Sequence, residues 1–303
     1  MSVAIIGTVA LDSIETPKGS HARILGGSAS YAGLASSLFS KTALVSVIGR
    51  DFPAEHLQYF HERGLDTSSI AVLPGETFHW KGYYTHDMSQ AFTVQTDLNV
   101  LTEFNPELSP VAQRARVVFL GNMDPVLQQR TIAQCTQPDL IVMDSMNYWI
   151  ESHPFQLKET LKQVDVLILN DQEIRLLTGV DNVVQAMRVV LGFGPKRIVV
   201  KKGEHGALMF NGRDYFACPA FPLADLVDPT GAGDSFAGAF CGYMAQQLVW
   251  DETVFRKAVL MGMLVASFTV QDFSIGALKA LTLSRLEETY ARYYAVAGLP
   301  VRL

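Results

Sequence analysis

With 303 residues, the chain can form either one large α/β body with an appendage or two domains, and its core needs no cofactor to hold it together. Hydrophobic residues make up 49% and charged residues 18%, which excludes a disordered chain. The net charge of −6, from 24 basic and 30 acidic residues, leaves no basic footprint for a nucleic-acid partner.

The start, "MSVAIIGTVALDSI", lacks the basic region and cleavage site of an export signal. The longest apolar stretch, "AVLMGMLVASFTV", falls short of the roughly 20 residues that span a bilayer. Cys135, Cys218 and Cys241 form neither a disulfide framework nor a C-x-x-C pair and read as reduced thiols. A cytoplasmic protein with a small-molecule partner, and no membrane or nucleic acid, is expected.

In chain order, short β-branched runs alternate with helical patterns. They are "VAIIGT" at 3–8, "ALVSVIG" at 43–49, "RVVFLG" at 116–121, "LIVMDS" at 140–145, "DVLILN" at 165–170 and "RIVVKKG" at 197–203. Continuous apolar strands between helices predict an α/β fold with a mainly parallel central sheet covered on both faces. Two segments break the pattern. "VALDSIETP" with "HARIL", and residues 76–97 around "HDMSQ", read as a small sheet standing off the main one: lid segments at about 10–25 and 76–97. Such a sheet suits a lid, a homodimer contact or both, with Phe78, Trp80, Tyr83 and Tyr84 as its exposed aromatics. His79 and His86 have no metal-ligand spacing. After Gly233 the chain is helical, and the absence of a linker or repeat favours one body over residues 1–303. Asn122, Asp144, Asn170, Lys201 and Lys202 end strands or follow them, and strand ends in such a sheet converge on one crevice.

Chemistry concentrates in "DPTGAGDSFAGAF", Asp228 to Phe240. Gly231 and Gly233 expose backbone N–H groups where a helix begins, a natural anion hole. Asp234 beside it reads as a helix cap, with the glycines serving close packing along Gly238 and Gly242, or as a proton-abstracting base for a kinase. No G-x-x-x-x-G-K-[ST] occurs, and Phe236 stands where the third glycine of G-x-G-x-x-G belongs.

The segment resembles the signature of the ribokinase-like (PfkB) carbohydrate kinase family. So do "GG" at 26–27, "NDQE" at 170–173, "KKGEHG" at 201–206 and "SIGA" at 274–277, in the same order. The resemblance implies a three-layer αβα ribokinase-like fold and phosphorylation, dependent on ATP and Mg²⁺, of a hydroxyl of a sugar, sugar acid or small polyol. A nucleoside kinase and a silent sensor are the alternatives. It implies Asp234 as general base and Gly231, Ala232 and Gly233 as the anion hole. Asn170 and Glu173 would position Mg²⁺ through water. Lys201, Lys202, Gly203 and Gly206 would lie beside the nucleotide. Asp228 would help bind a monovalent cation under the loop of Ser274 and Gly276, with a need for K⁺ left open. Asp12, Gly26, Gly27 and Tyr31 would meet the acceptor, with Asn122 and Asp144 behind them. Tyr31 departs from the family, which usually carries an Asn there to hold the sugar, and it argues against a furanose-specific ribokinase or an ordinary adenosine kinase.

Overall fold

The six β-branched runs become adjoining strands because their neighbouring residues enter opposite cores. Val3 and Ile5 join one apolar cluster while Ala4 and Ile6 join the other, and Val117 and Phe119 alternate with Val118 and Leu120 in the same way. That period of two, with both sides apolar, requires cover on both faces. The computed structural model describes residues 2–297.

Among the described residues thirteen strands form two sheets: β1 (Ser2–Ile6), β2 (Ala10–Thr16), β3 (Gly19–Gly26), β4 (Lys41–Gly49), β5 (Leu65–Leu73), β6 (His79–Tyr84), β7 (Ala91–Asp97), β8 (Val117–Leu120), β9 (Leu140–Asp144), β10 (Val166–Asn170), β11 (Arg197–Lys201), β12 (Ala207–Phe210) and β13 (Tyr215–Cys218). The nine-stranded central sheet runs β13-β12-β11-β10-β9-β8-β1-β4-β5. It is parallel from β5 to β11 and antiparallel at β12 and β13. Strand β5 escapes sequence reading because it is an edge strand: "LDTSSIAVL" is half exposed and carries no apolar run until its end.

The Ala232–Gln246 helix lies against the Ser28–Ser37 helix, and small residues set the approach. A β-carbon on Gly238 would stand 2.1 Å from the Ala32 carbonyl oxygen, and one on Gly242 2.6 Å from that of Ser36. These two glycines are packing residues, as the plainer reading of the segment held. Among the described residues no helix is long and apolar enough to cross a membrane.

The smaller sheet has the order β3-β2-β6-β7. Strand β2 pairs antiparallel with β3 and parallel with β6, and β6 pairs antiparallel with β7. Register divides its aromatics between faces. Trp80 stands beside Asp12, and Tyr84 follows at even spacing on the same face. Tyr83, opposite Glu15 and Phe92, projects from the other face, where the Tyr83 and Phe92 rings stack with centroids 5.2 Å apart. Of the four aromatics expected on the surface only Tyr83 is exposed; Phe78, Trp80 and Tyr84 are half buried. Under the sheet, Asp51 accepts from the Thr77 N–H at 2.7 Å and the Thr77 hydroxyl at 2.8 Å, and it also binds Arg23.

Candidate active site

The turn expected to receive an anion is built by Gly231, whose φ of 76° places it in the left-handed region and makes it the N-cap of the Ala232–Gln246 helix. Its bare α-carbon also admits the Tyr31 ring, three of whose carbons would stand 2.4 Å from a β-carbon there. Ala232, Gly233 and Asp234 are therefore the first three helical residues, and Asp234 is not the cap. The Ala232 N–H turns back to the Pro229 carbonyl at 3.2 Å, whereas those of Gly231 and Gly233 carry no hydrogen bond to the described residues. Of the three amides expected to face an anion, that of Ala232 is thus committed within the turn.

Lys201, at the end of β11, fills the floor beside this turn. Its Nζ would stand 2.8 Å from a β-carbon on Gly233, and it binds the Asp144 carboxylate at 3.0 Å. Burial works against the ammonium, but Asp144, Glu173 and Asp234 together hold its pKa above the usual lysine value. Asp144, expected with the acceptor groups, belongs to this charge cluster instead; its other oxygen accepts from the Ser145 N–H at 2.8 Å. Asp234 is pushed up to about 7, first by burial and then by the Asp144 charge, with Lys201 pulling the other way.

Asn170 and Glu173 form a capping box at the start of the Asp171–Thr178 helix. The Asn170 side chain accepts from the Gln172 and Glu173 N–H groups, and the Glu173 carboxylate accepts from the Asn170 N–H at 2.7 Å. Burial and the Asp144 charge push Glu173 up to about 7. Three carboxylates around one ammonium leave a surplus of negative charge, and hard oxygen donors of this kind suit Mg²⁺. Among the described residues no three acidic, histidine or cysteine side chains are placed to ligate one ion together. Nearby, Lys202 is half exposed and donates its N–H to the Gly206 carbonyl at 2.8 Å. Gly203 faces open space, while Gly206 packs on the Cys218 carbonyl, so only the first offers backbone to a ligand.

Across the turn, Asp12 of β2 is 4% exposed, and its carboxylate fills the place a side chain on Gly26 would take, with a Gly26 β-carbon 1.9 Å from Oδ2. Gly27, at φ 90°, caps the Ser28–Ser37 helix and turns its N–H toward that carboxylate. Burial pushes Asp12 up to about 7, and the charges of Asp228 and Asp234 add to the rise. Tyr31 is 1% exposed, and its hydroxyl is buried with no hydrogen-bond partner. Burial holds its pKa well above the usual tyrosine range, as do Asp12, Asp228, Asp234 and Tyr84. The Thr230 hydroxyl donates to the Tyr84 oxygen at 3.1 Å, a link between lid and turn that the sequence does not signal.

Asp228 accepts from the Thr230 N–H at 2.9 Å through Oδ1, while Oδ2 is buried and unpaired. Burial raises its pKa against the Thr230 hydrogen bonds, the Ser274 N–H and His21. Ser274, at φ 54°, ties this loop to the lid by donating its hydroxyl to the Leu25 carbonyl. The adjacent Phe273 packs on Gly19 and on the His21 ring. Gly276 lies against the Asp272 carboxylate. Asn122, expected to reach the acceptor, is occupied: its oxygen accepts from the Trp149 indole at 3.0 Å and its amide nitrogen lies 2.9 Å from the Met146 sulfur.

The sequence pattern of the pfkB family carbohydrate kinases matches residues 3–280. The chain belongs to the pfkB family. Among its relatives is the cytidine kinase of Thermococcus kodakarensis, 31% identical over 250 residues, which cover 80% of this chain and 88% of that one. Another is the 2-dehydro-3-deoxygluconokinase of Thermoproteus tenax, 27% identical over 248 residues, covering 72% and 71%. The fold is shared with the Burkholderia thailandensis nucleoside kinase solved with inosine, at a TM-score of 0.79 and 19% identity, covering 98% of each chain. As a pfkB kinase the protein is an ATP-dependent kinase of carbohydrates or nucleosides.

Proposed function

We propose that the enzyme transfers the γ-phosphoryl group of ATP to a hydroxyl of a neutral polyhydroxylic acceptor, with Asp234 as the base. Asp234 takes the hydroxyl proton, the freed oxygen attacks the γ-phosphorus and ADP leaves. The N–H groups of Gly231 and Gly233 face the charge that builds on the transferred group. Lys201, fixed by Asp144, keeps a positive charge at the same floor. Asn170 and Glu173 would hold Mg²⁺ through its waters, and the ion when bound neutralises phosphate charge. The unpaired oxygen of Asp228 fits a monovalent cation such as K⁺.

The observation that carries the acceptor class is the charge around Asp12. What bears on it is Asp228 and Asp234, both of its own sign. No cation is among the groups that act on it, and Lys201 and Arg23 are paired with Asp144 and Asp51. An acceptor with its own carboxylate or phosphate would meet repulsion here. Within the neutral class, a nucleoside is the second reading, favoured by Trp80 and Tyr84 on the face of Asp12.

Initial rates with ribose, fructose, myo-inositol, cytidine and inosine, set against 2-dehydro-3-deoxygluconate and fructose 6-phosphate, test this. Neutral acceptors are expected to exceed the anionic ones in kcat/KM by about 100-fold or more, as like-charge juxtaposition costs several kcal/mol. Preference for an anionic acceptor contradicts the reading.

A further inference from the structure

Tyr31 holds a feature the transfer chemistry does not use. Its side chain leaves the first turn of the Ser28–Ser37 helix, presses its ring on Gly231 and is 1% exposed. The hydroxyl at its far end is buried and has no partner. An unpaired buried hydroxyl destabilises a folded protein, so one that persists calls for an occupant from outside the chain. The groups whose charge acts on it are Asp12, Asp228, Asp234 and Tyr84. None of them is hydrogen-bonded to it, although all could accept. The phenol is thus a donor left over beside the groups that the acceptor meets.

We infer that the Tyr31 hydroxyl is a specificity-determining contact: it donates to an acceptor hydroxyl oxygen that in turn donates to the Asp12 carboxylate. The inference rests on the neutral-acceptor reading above. A hydroxyl is the group that can serve both partners at once, because it carries one donor and two acceptor sites. An ether oxygen satisfies Tyr31 but not Asp12, and an ammonium satisfies Asp12 but not Tyr31. Tyr31 therefore does what a shorter amide at this position could not do from the same place. It reaches past Gly231 with a rigid ring and delivers a single donor.

Tyr31→Phe tests this because it removes only the oxygen and keeps the ring on Gly231. The probe is whichever of ribose, fructose, myo-inositol and cytidine the wild-type enzyme turns over best. The free variant is expected to melt no lower than wild type, since an orphan hydroxyl has gone. Its KM for the acceptor is expected to rise about 10- to 100-fold with KM for ATP unchanged, and the thermal shift given by the acceptor is expected to shrink. An unchanged acceptor KM overturns the role of Tyr31 and leaves the kinase assignment standing. A wild-type enzyme that phosphorylates none of the neutral acceptors overturns the reading of the pocket, and this inference with it. As a measurement independent of the variant's folding, the wild-type enzyme is compared on that same acceptor and its deoxy and O-methyl analogues. At one hydroxyl other than the one that is phosphorylated, both replacements are expected to cost at least about tenfold in kcat/KM, because each leaves a buried group unpaired. Tolerance of both replacements at every other hydroxyl overturns the inference.

Discussion

Asp234 stands between two opposing charges, and that balance sets the pH at which it can accept a proton. Burial and Asp144 push it up to about 7, while Lys201 draws it down. A base must be ionised to act, so kcat/KM for the acceptor should climb as pH rises through about 7. Asp144→Asn removes the like charge and frees Lys201 to face Asp234, and both changes favour the carboxylate. The acidic limb should move about one unit toward lower pH, the scale of a nearby charge. A limb that stays put or moves upward in the pH–rate profile would show that Asp234 does not govern it. Little of this was legible in the sequence. Asp144 and Lys201 were both visible as strand-end groups, but their pairing across 57 positions depends on β9 and β11 flanking β10 in the sheet. For the same reason Asn122 looked like a pocket residue until Trp149 claimed its oxygen.

At the scale of elements, the start of the Ala232–Gln246 helix depends on one glycine with two separate duties. Gly231 adopts a left-handed φ of 76° and leaves room for the Tyr31 ring, so it couples two helices that pack along Gly238 and Gly242. Gly64 supplies the comparison, with φ 72° and nothing within 4 Å of a β-carbon. Gly64→Ala should cost only the backbone part, roughly 1–2 kcal/mol. Gly231→Ala should add overpacking of about 1–3 kcal/mol against Tyr31. Equal losses in denaturant midpoint for the two variants would mean that the Tyr31 contact is not tight. The periodicity of two and the turn residues made the central strands and the hairpin of residues 76–97 readable, because those patterns are local. Strand β5 was not readable, since an edge strand shares no continuous apolar run. The small sheet was recognisable as a sheet, but which aromatics turn inward follows from the parallel pairing of β2 with β6, a long-range register no local pattern reveals.

Across the whole molecule, the crevice is assembled from both ends of the chain. Asp12 and Tyr31 come from the small sheet and the first helix, Asp234 and Gly231 from a turn some two hundred residues later, and Ser274 closes the two together by its bond to Leu25. The motif order along the sequence was sufficient to place the chain in its family, because the family pattern spans residues 3–280. The acceptor was not legible, because Asp12 and Tyr31 acquire their meaning from the acids that the fold gathers around them. The most direct test is single-turnover transfer by Asp234→Asn, run with ATP binding by calorimetry on the same preparation. The account predicts a loss in transfer of about 10²- to 10⁴-fold, the usual weight of a positioned base, with ATP affinity within about twofold of wild type. Transfer at the wild-type rate, or a loss of ATP binding that parallels the loss of transfer, would contradict it.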